Sequence, residues 1–283
     1  DTEITSEHPN AILQPDNDYN ELNGYVLGTY NANETTNYYA GFGKSSRVPD
    51  ARELYLIMMG NGSPSFVGNP NLENTVNYEF DIGAEKKYEN ATIKAKAFYS
   101  MLDDFIAYNS TGTVDSHNLE NVDATIWGVE LSGTYIATDS VYFDYGMSYQ
   151  RGKKKDPLYG QSDTDMPEIP PFKFNGAVNY DYDESLTLRA EMIASDEWTD
   201  FDIDNGEQEL DAYAVLNLKG TKKFGNHFEL TVGVDNLFDT TYAVTNTYKD
   251  ISLLASGTSV ADSNIILMNE PGRYFYTNIK YKF

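Results

Sequence analysis

The chain has 283 residues, 40% of them hydrophobic, and carries 44 acidic against 20 basic side chains for a formal net charge of −24. That balance excludes a nucleic-acid binder, which needs Lys and Arg in excess to neutralise phosphate, and the lack of Cys excludes disulfides and thiolate metal sites. A mean hydropathy of −0.52, with no run approaching ~18 apolar residues, excludes a transmembrane helix.

Strands escape that last test, because their apolar residues alternate with polar ones, and 23 Tyr with 14 Phe suit the aromatic belts of a membrane barrel. In chain order the alternation predicts eleven strands at roughly 21–30, 36–45, 77–87, 91–104, 123–136, 141–150, 172–181, 186–195, 212–223, 228–236 and 273–283. Short connections (Asn31 to Thr35, Tyr88 to Asn90, Ala137 to Ser140, Tyr182 to Ser185, Phe224 to His227) take turns with long ones at 46–76, 105–122, 151–171, 196–211 and 237–272. A soluble Greek-key sandwich has no reason to gather every long loop at one end. Outer-membrane barrels do so, with short periplasmic turns and long extracellular loops.

Facing follows strand by strand. Between Ala91 and Tyr99, the residues Ile93, Ala95, Ala97 and Tyr99 are expected on lipid and Lys94 and Lys96 in the lumen, since Lys on lipid near the midplane costs about 2–4 kcal/mol. Leu186, Leu188, Ala190 and Met192 point out, with Arg189 and Glu191 inside; Phe228, Leu230, Val232 and Val234 point out, with Glu229, Thr231 and Asp235 inside. The last strand places Phe275, Thr277, Ile279, Tyr281 and Phe283 in one apolar row that ends on an aromatic residue. Phe275, Ile279, Tyr281 and Phe283 are therefore the expected membrane and assembly residues. The alternative for this strand is the half-buried edge of a soluble sheet. Counting back eleven strands from a periplasmic C-terminus puts residue 21 outside, so an odd, open sheet is expected, with a further strand before it.

Several motifs belong together. Gly233-Val234-Asp235-Asn236-Leu237-Phe238-Asp239-Thr240-Thr241-Tyr242, Asn269-Glu270-Pro271-Gly272-Arg273 and the terminal Phe283 resemble the closing strands of TonB-dependent outer-membrane receptors. Earlier matches are Arg47-Val48-Pro49-Asp50-Ala51-Arg52-Glu53-Leu54-Tyr55, Gly68-Asn69-Pro70-Asn71-Leu72 and Asn121-Val122-Asp123-Ala124-Thr125-Ile126-Trp127-Gly128-Val129-Glu130. The resemblance implies an all-β, antiparallel transmembrane β-barrel, with residues 1–283 as the C-terminal half of a 22-stranded barrel whose plug domain and first strands are absent. It implies active import of a small metal-containing ligand through the outer membrane of a Gram-negative bacterium. The implied partners are a TonB–ExbB–ExbD energy-coupling complex acting through the missing N-terminal part, the barrel-assembly machinery, and lipid or lipopolysaccharide. The motifs look most like the copper-receptor branch; ferric siderophore, haem and cobalamin receptors are the alternatives within the family, and a passive porin is the alternative outside it.

Two metal-binding patterns stand out in the loops, although the resemblance requires no cofactor. Met58 and Met59, with His117 and Met268, offer thioether and imidazole groups suited to copper. Met166 lies in a long loop as well. Asp200, Asp202 and Asp204 have the one-apart spacing of a calcium loop, within a stretch of eight carboxylates from Asp196 to Asp211; Asn205 and Asp211 stand where an EF-hand wants Gly and Glu. The bland readings are loop packing for the methionines and a solvated acidic loop. Arg47 and Arg273 are expected at the mouth of the lumen in structural pairing with acids. An enzyme is not expected, because none of His8, His117 and His227 is tied to a nucleophile.

Overall fold

A computed structural model describes residues 17–60, 63–112, 117–244 and 269–283. Its main body is one antiparallel sheet of eleven strands in the order β1-β2-β5-β6-β7-β8-β9-β10-β11-β12-β13, so each strand lies beside its sequence neighbour in the sheet. The strands are β1 (Gly24–Asn33), β2 (Thr36–Arg47), β5 (Thr75–Lys87), β6 (Ala91–Tyr108), β7 (Leu119–Thr138), β8 (Val141–Lys154), β9 (Lys173–Asp183), β10 (Leu186–Ser195), β11 (Tyr213–Phe224), β12 (Phe228–Asp235) and β13 (Tyr274–Tyr281). β1 and β13 each have a neighbour on one side only, which makes the sheet an open part of a barrel.

The short turns are set by local chemistry. Asn33 accepts from the Thr35 backbone at 3.0 Å and hydroxyl at 2.8 Å, and Asp183 accepts from the Ser185 and Leu186 N–H groups at 2.8 and 2.9 Å. These side chains mimic a backbone turn. Gly225, at φ 60, gives the β11–β12 turn the left-handed residue it needs.

Register fixes the two faces. Lys94 lies opposite Glu85, Arg189 opposite Asn179 and Thr221 opposite Thr231, all on the polar face. Lys96 pairs with Asp81 at 3.0 Å there, and Arg189 with Asp144 at 3.0 Å and Glu191 at 2.8 Å. On the other face Ala97 meets Ile82 and Val129, Leu188 meets Tyr180, and Val232 meets Thr277. The expected facing therefore holds across β6, β10 and β12.

Aromatic contacts on the apolar face collect near the two ends of the strands. Near the short turns are Tyr30–Tyr38, Tyr135–Phe143, Tyr180–Tyr182 and Phe224–Phe228. Towards the long loops are Phe42–Phe80 and Trp127–Tyr149. Trp127 and Tyr135 share one face of β7, roughly 26 Å apart along the strand at ~3.3 Å per residue, close to the ~25 Å apolar band of an outer-membrane barrel.

Burial is distributed the opposite way from a soluble protein. Ile82, Val129, Val178, Leu188, Val232 and Ile279 on the sheet are all exposed, far beyond the apolar patch a water-soluble monomer shows. The buried residues Leu54, Leu72, Ile106, Leu119, Leu158, Met166, Trp198 and Leu210 lie instead in the long loops and the strand ends beside them. Only lipid makes sense of both facts, and the soluble sandwich is excluded.

Three features depart from the pattern read in the sequence. β1 starts three residues later than its alternation suggests. β6, β7 and β8 run beyond the expected ends, to Tyr108, from Leu119 and to Lys154. The first long connection holds a short helix α1 (Ala51–Tyr55) and a separate hairpin β3 (Ile57–Gly60) and β4 (Ser63–Val67). Above the membrane the strands pair with no lipid requirement, so neither their length nor the loop's folding leaves a period-two signal.

Candidate functional site

The described parts of the long loops form a cap of two modules, and the expected site residues that are described divide between them. In the first, Asp50 caps α1 by accepting from Arg52 N and Glu53 N at 2.7 and 2.9 Å, while Glu53 accepts from Asp50 N at 2.8 Å. The Asp50–Glu53 spacing thus closes a capping box. Arg47 pairs with the same Glu53 at 2.7 Å, so its partner is this cap and not a neighbouring strand. Leu54, 1% exposed, sits in a core with Leu72, Ile106 and Leu119. Gly68 passes so close that a Cβ would meet the Glu53 carbonyl at 2.7 Å, and Asn69 donates to Leu119 O at 2.9 Å.

This core carries the β3–β4 hairpin, on which Met58 and Met59 are 51% and 66% exposed. Asn118 N donates to Val67 O at 2.8 Å, and its side chain accepts from Val67 N at 2.8 Å. Asn118 therefore stitches the segment that bears His117 to the same hairpin, with His117 itself at φ 56. Met58, Met59 and His117 lie in one module on this account; Met268 falls outside the described residues. Met166 is 3% exposed and buried in the other module, so its sulfur is packing.

The second module is polar. Lys154, the inward residue of Arg151-Gly152-Lys153-Lys154-Lys155, is buried against Asp202 at 3.1 Å, the two side chains being 0% and 1% exposed. Arg151 pairs with Asp200 and Lys153 with Asp165. Asp204 accepts from Ser162 N and Asp163 N, each at 2.7 Å. Glu207 accepts from Asp202 N and Glu168 N, both at 2.8 Å. Fully buried Asn109 accepts from Gln161 at 3.0 Å, and Gln161 reaches Asn205 at 2.8 Å. Three loops are locked into one another by this network, with Trp198, Leu210 and Ala243 as a small apolar core beside it.

The calcium-loop spacing of Asp200, Asp202 and Asp204 is thus spent on an arginine, a buried lysine and two backbone amides. Among the described residues no three His, Asp or Glu side chains come together as a metal site. Burial raises the Asp202 carboxyl, with Asn205 and Lys154 opposing, and burial raises Glu207 as well. The Ser162 and Asp163 amides hold Asp204 below the ordinary carboxylate range. Lys154 and Asn109 were missed in the sequence, although a run of bases and a run of acids at the tops of nearby strands pointed to such pairing.

The Asp-Asn-Leu-Phe-Asp motif ends β12. Asn236 and Asp239 take left-handed φ of 50° and 58°, which Asn and Asp tolerate better than most residues. Buried Asn236 accepts from Thr240 N at 2.8 Å and donates to Thr240 O at 2.7 Å. Asp239 accepts from Arg273 N at 2.7 Å, and the Arg273 guanidinium donates to Leu237 O at 3.2 Å. Both ends of the pair of motifs are one structural clasp at the start of β13.

Residues 2–237 match a family model described as TonB dependent receptor-like, beta-barrel. A vitamin B12 transporter, BtuB, of Photobacterium profundum is 26% identical over 248 residues, covering 84% of this chain and 38% of its own length. Among solved structures, the copper transporter OprC aligns with a TM-score of 0.76 at 23% identity over 92% of this chain and 38% of that one. The ferric enterobactin receptor PfeA of Pseudomonas aeruginosa, as the G324V mutant, aligns with a TM-score of 0.66 at 19% identity over 92% and 40%. The chain therefore spans about two-fifths of the length of these proteins. The structural likenesses speak to the fold.

Proposed function

Because the chain belongs to the family of TonB-dependent receptor β-barrels, whose members are receptors of the outer membrane and not enzymes, we propose that it forms part of the wall and cap of a Gram-negative importer for a metal or metal complex, with copper the favoured cargo. The proteins it is similar to include a copper transporter, a ferric enterobactin receptor and a vitamin B12 transporter, so family alone leaves the cargo open. The observation that favours copper is the β3–β4 hairpin: two exposed thioethers on a module rigidified by its own core, with the His117 segment stitched beside them. Soft sulfur and imidazole suit Cu(I). In the complete receptor a plug would share the site, and an inner-membrane complex would supply the energy. Phe275, Ile279 and Tyr281, exposed on the apolar face of β13, and exposed Phe283 two residues beyond its end serve membrane seating and assembly.

The test is copper uptake at limiting copper by the full-length protein and its Met58→Leu/Met59→Leu variant. Leu keeps volume and apolar character but removes sulfur. Weakened uptake with normal folded yield supports copper; a wild-type rate, or uptake of a ferric siderophore by the parent, turns the reading to the siderophore branch and leaves the methionines as packing.

A further inference from the structure

Alternation fixes which face a strand shows, but not how far it is slid along its neighbour. A slip of one residue turns the apolar row toward the lumen, whereas a slip of two restores both faces. In β13 even charge does not resist: Glu229 lies opposite Lys280, and a two-residue slip sets it opposite Lys282. A tight turn removes this freedom, because its length fixes the pairing of the strands it joins. The turns at 34–35, 88–90, 139–140, 184–185 and 225–227 do so. The connections 48–74, 109–118, 155–172, 196–212 and 236–273 are longer and leave it free.

Strand pairs joined by those long connections share a second feature. Tyr39 of β2 lies across Gly83 of β5, Phe98 of β6 across Gly128 of β7, and Tyr276 of β13 across Gly233 of β12. In each case the two residues are directly opposite in the register, and a Cβ on the glycine would collide with the ring. Asn175 of β9 covers Gly146 of β8 in the same way. Gly83 lies opposite Lys96 and Gly233 opposite Lys219, which places them on the polar face. Gly128 and Gly233 are buried beneath their rings, and Tyr276 is the one residue of β13 that is not exposed. At β10–β11 no ring is present, and a Cβ at Gly220 would meet Leu188 at 3.3 Å. Among the described residues the tight-turn pairs show a covered glycine once, at Gly133 beside Tyr145 on the apolar face, where the first obstacle to a Cβ is the Thr92 carbonyl of β6.

We infer that these side chains key the register of strands that long loops leave free, and that Tyr276 on Gly233 is the key of the closing strand. A ring lies down only over a residue without a side chain, and Gly233 is the one glycine of β12. A slip of two residues sets Tyr276 against Thr231 or Asp235, where the ring is forced up into the lumen. The inference rests on the barrel and needs neither plug nor cargo.

The chain lacks Cys, so introduced cysteine pairs report register directly in the full-length protein, oxidised in outer-membrane vesicles and read in the folded, heat-modifiable fraction. Thr231→Cys/Asn278→Cys closes in the native register; Thr231→Cys/Lys280→Cys and Glu229→Cys/Asn278→Cys close after a slip of two in one direction or the other. In the parent the first pair should dominate. Tyr276→Ala and Gly233→Ala should each raise the slipped pairs roughly fivefold against the native one, the scale of one cross-strand aromatic contact. Tyr276→Phe should keep the parent pattern, and Ile279→Ala, which removes apolar area from the same strand, should lower the yield without moving the register. Slipped pairs that stay at the parent level in both Tyr276→Ala and Gly233→Ala, or that rise as much in Ile279→Ala, overturn the inference. Where Tyr276→Ala yields no folded barrel, Tyr276→Leu, apolar and bulky but without a flat ring, is read by the same criteria.

Discussion

The sheet and the cap handle apolar side chains in opposite ways. Val232 on the sheet is half exposed, whereas Leu54 in the cap is 1% exposed. Each residue is stable where it is because the two parts meet different solvents. The sheet turns its apolar row toward hydrocarbon and its charges toward the lumen; the cap meets water and must hide a core of its own. Within the cap the contrast repeats, since one module is held by Leu54, Leu72, Ile106 and Leu119 and the other by a buried polar network around Lys154 and Asp202.

The largest effect that probes this comparison should come from the polar module. Lys154→Ala leaves the Asp202 carboxylate buried with no cation, a cost of about 3–5 kcal/mol, while Lys154→Met with Asp202→Leu removes both charges and should recover most of it. Hydrogen exchange in residues 196–212 measures the difference; equal protection in the single and double variants would mean that the pair is not buried as described. Leu54→Ala should cost about 2–5 kcal/mol, with the loss of protection confined to residues 48–74 and the ends of β6 and β7 that carry Ile106 and Leu119, and the rest of the sheet unaffected.

A smaller effect is expected from acid. The Asp204 contribution is fully present above its ordinary value of 3.8 and is lost as pH falls through its depressed folded value. Asp202 and Glu207, raised by burial, run the other way: their folded forms favour the proton, so acid does not weaken them. Protection of the Ser162 and Asp163 amides should therefore fall below pH 3.8, and Asp204→Asn should remove that pH dependence at a cost of about 1 kcal/mol at neutral pH. A fall in protection that sets in well above pH 3.8 would contradict a depressed Asp204 carboxyl. Smallest of all is Met58→Leu with Met59→Leu, which should leave thermal stability within about 1.5 kcal/mol, because both side chains already face water.

The same contrast explains what the sequence revealed. A strand between two solvents must alternate, so Ile93/Lys94 and Val232/Thr231 disclose their faces residue by residue, and two- or three-residue turns such as 184–185 mark the ends. Nothing comparable constrains the cap. Its α1 helix is five residues long, its hairpin four and five, and its core joins Leu54 to Ile106 and Leu119 across distant stretches of chain. Asp202 looked like a member of a cation loop because spacing along the chain carries no trace of Lys154, which only the folded loops bring to it. Arg47 and Arg273 find their partners in Glu53, 6 residues on, and in the Leu237 carbonyl, 36 residues back.

The claim that everything else rests on is that the two faces of the sheet meet different solvents. Val232→Arg and Thr231→Arg, adjacent on β12 and opposite in facing, test it directly in the full-length protein by folded, heat-modifiable barrel recovered in the outer membrane. Arg at 232 should cost about 2–4 kcal/mol near the midplane and lower the yield sharply, while Arg at 231 is hydrated in the lumen and should fold as the parent does. Equal tolerance of the two, or a worse result at 231, would contradict the account.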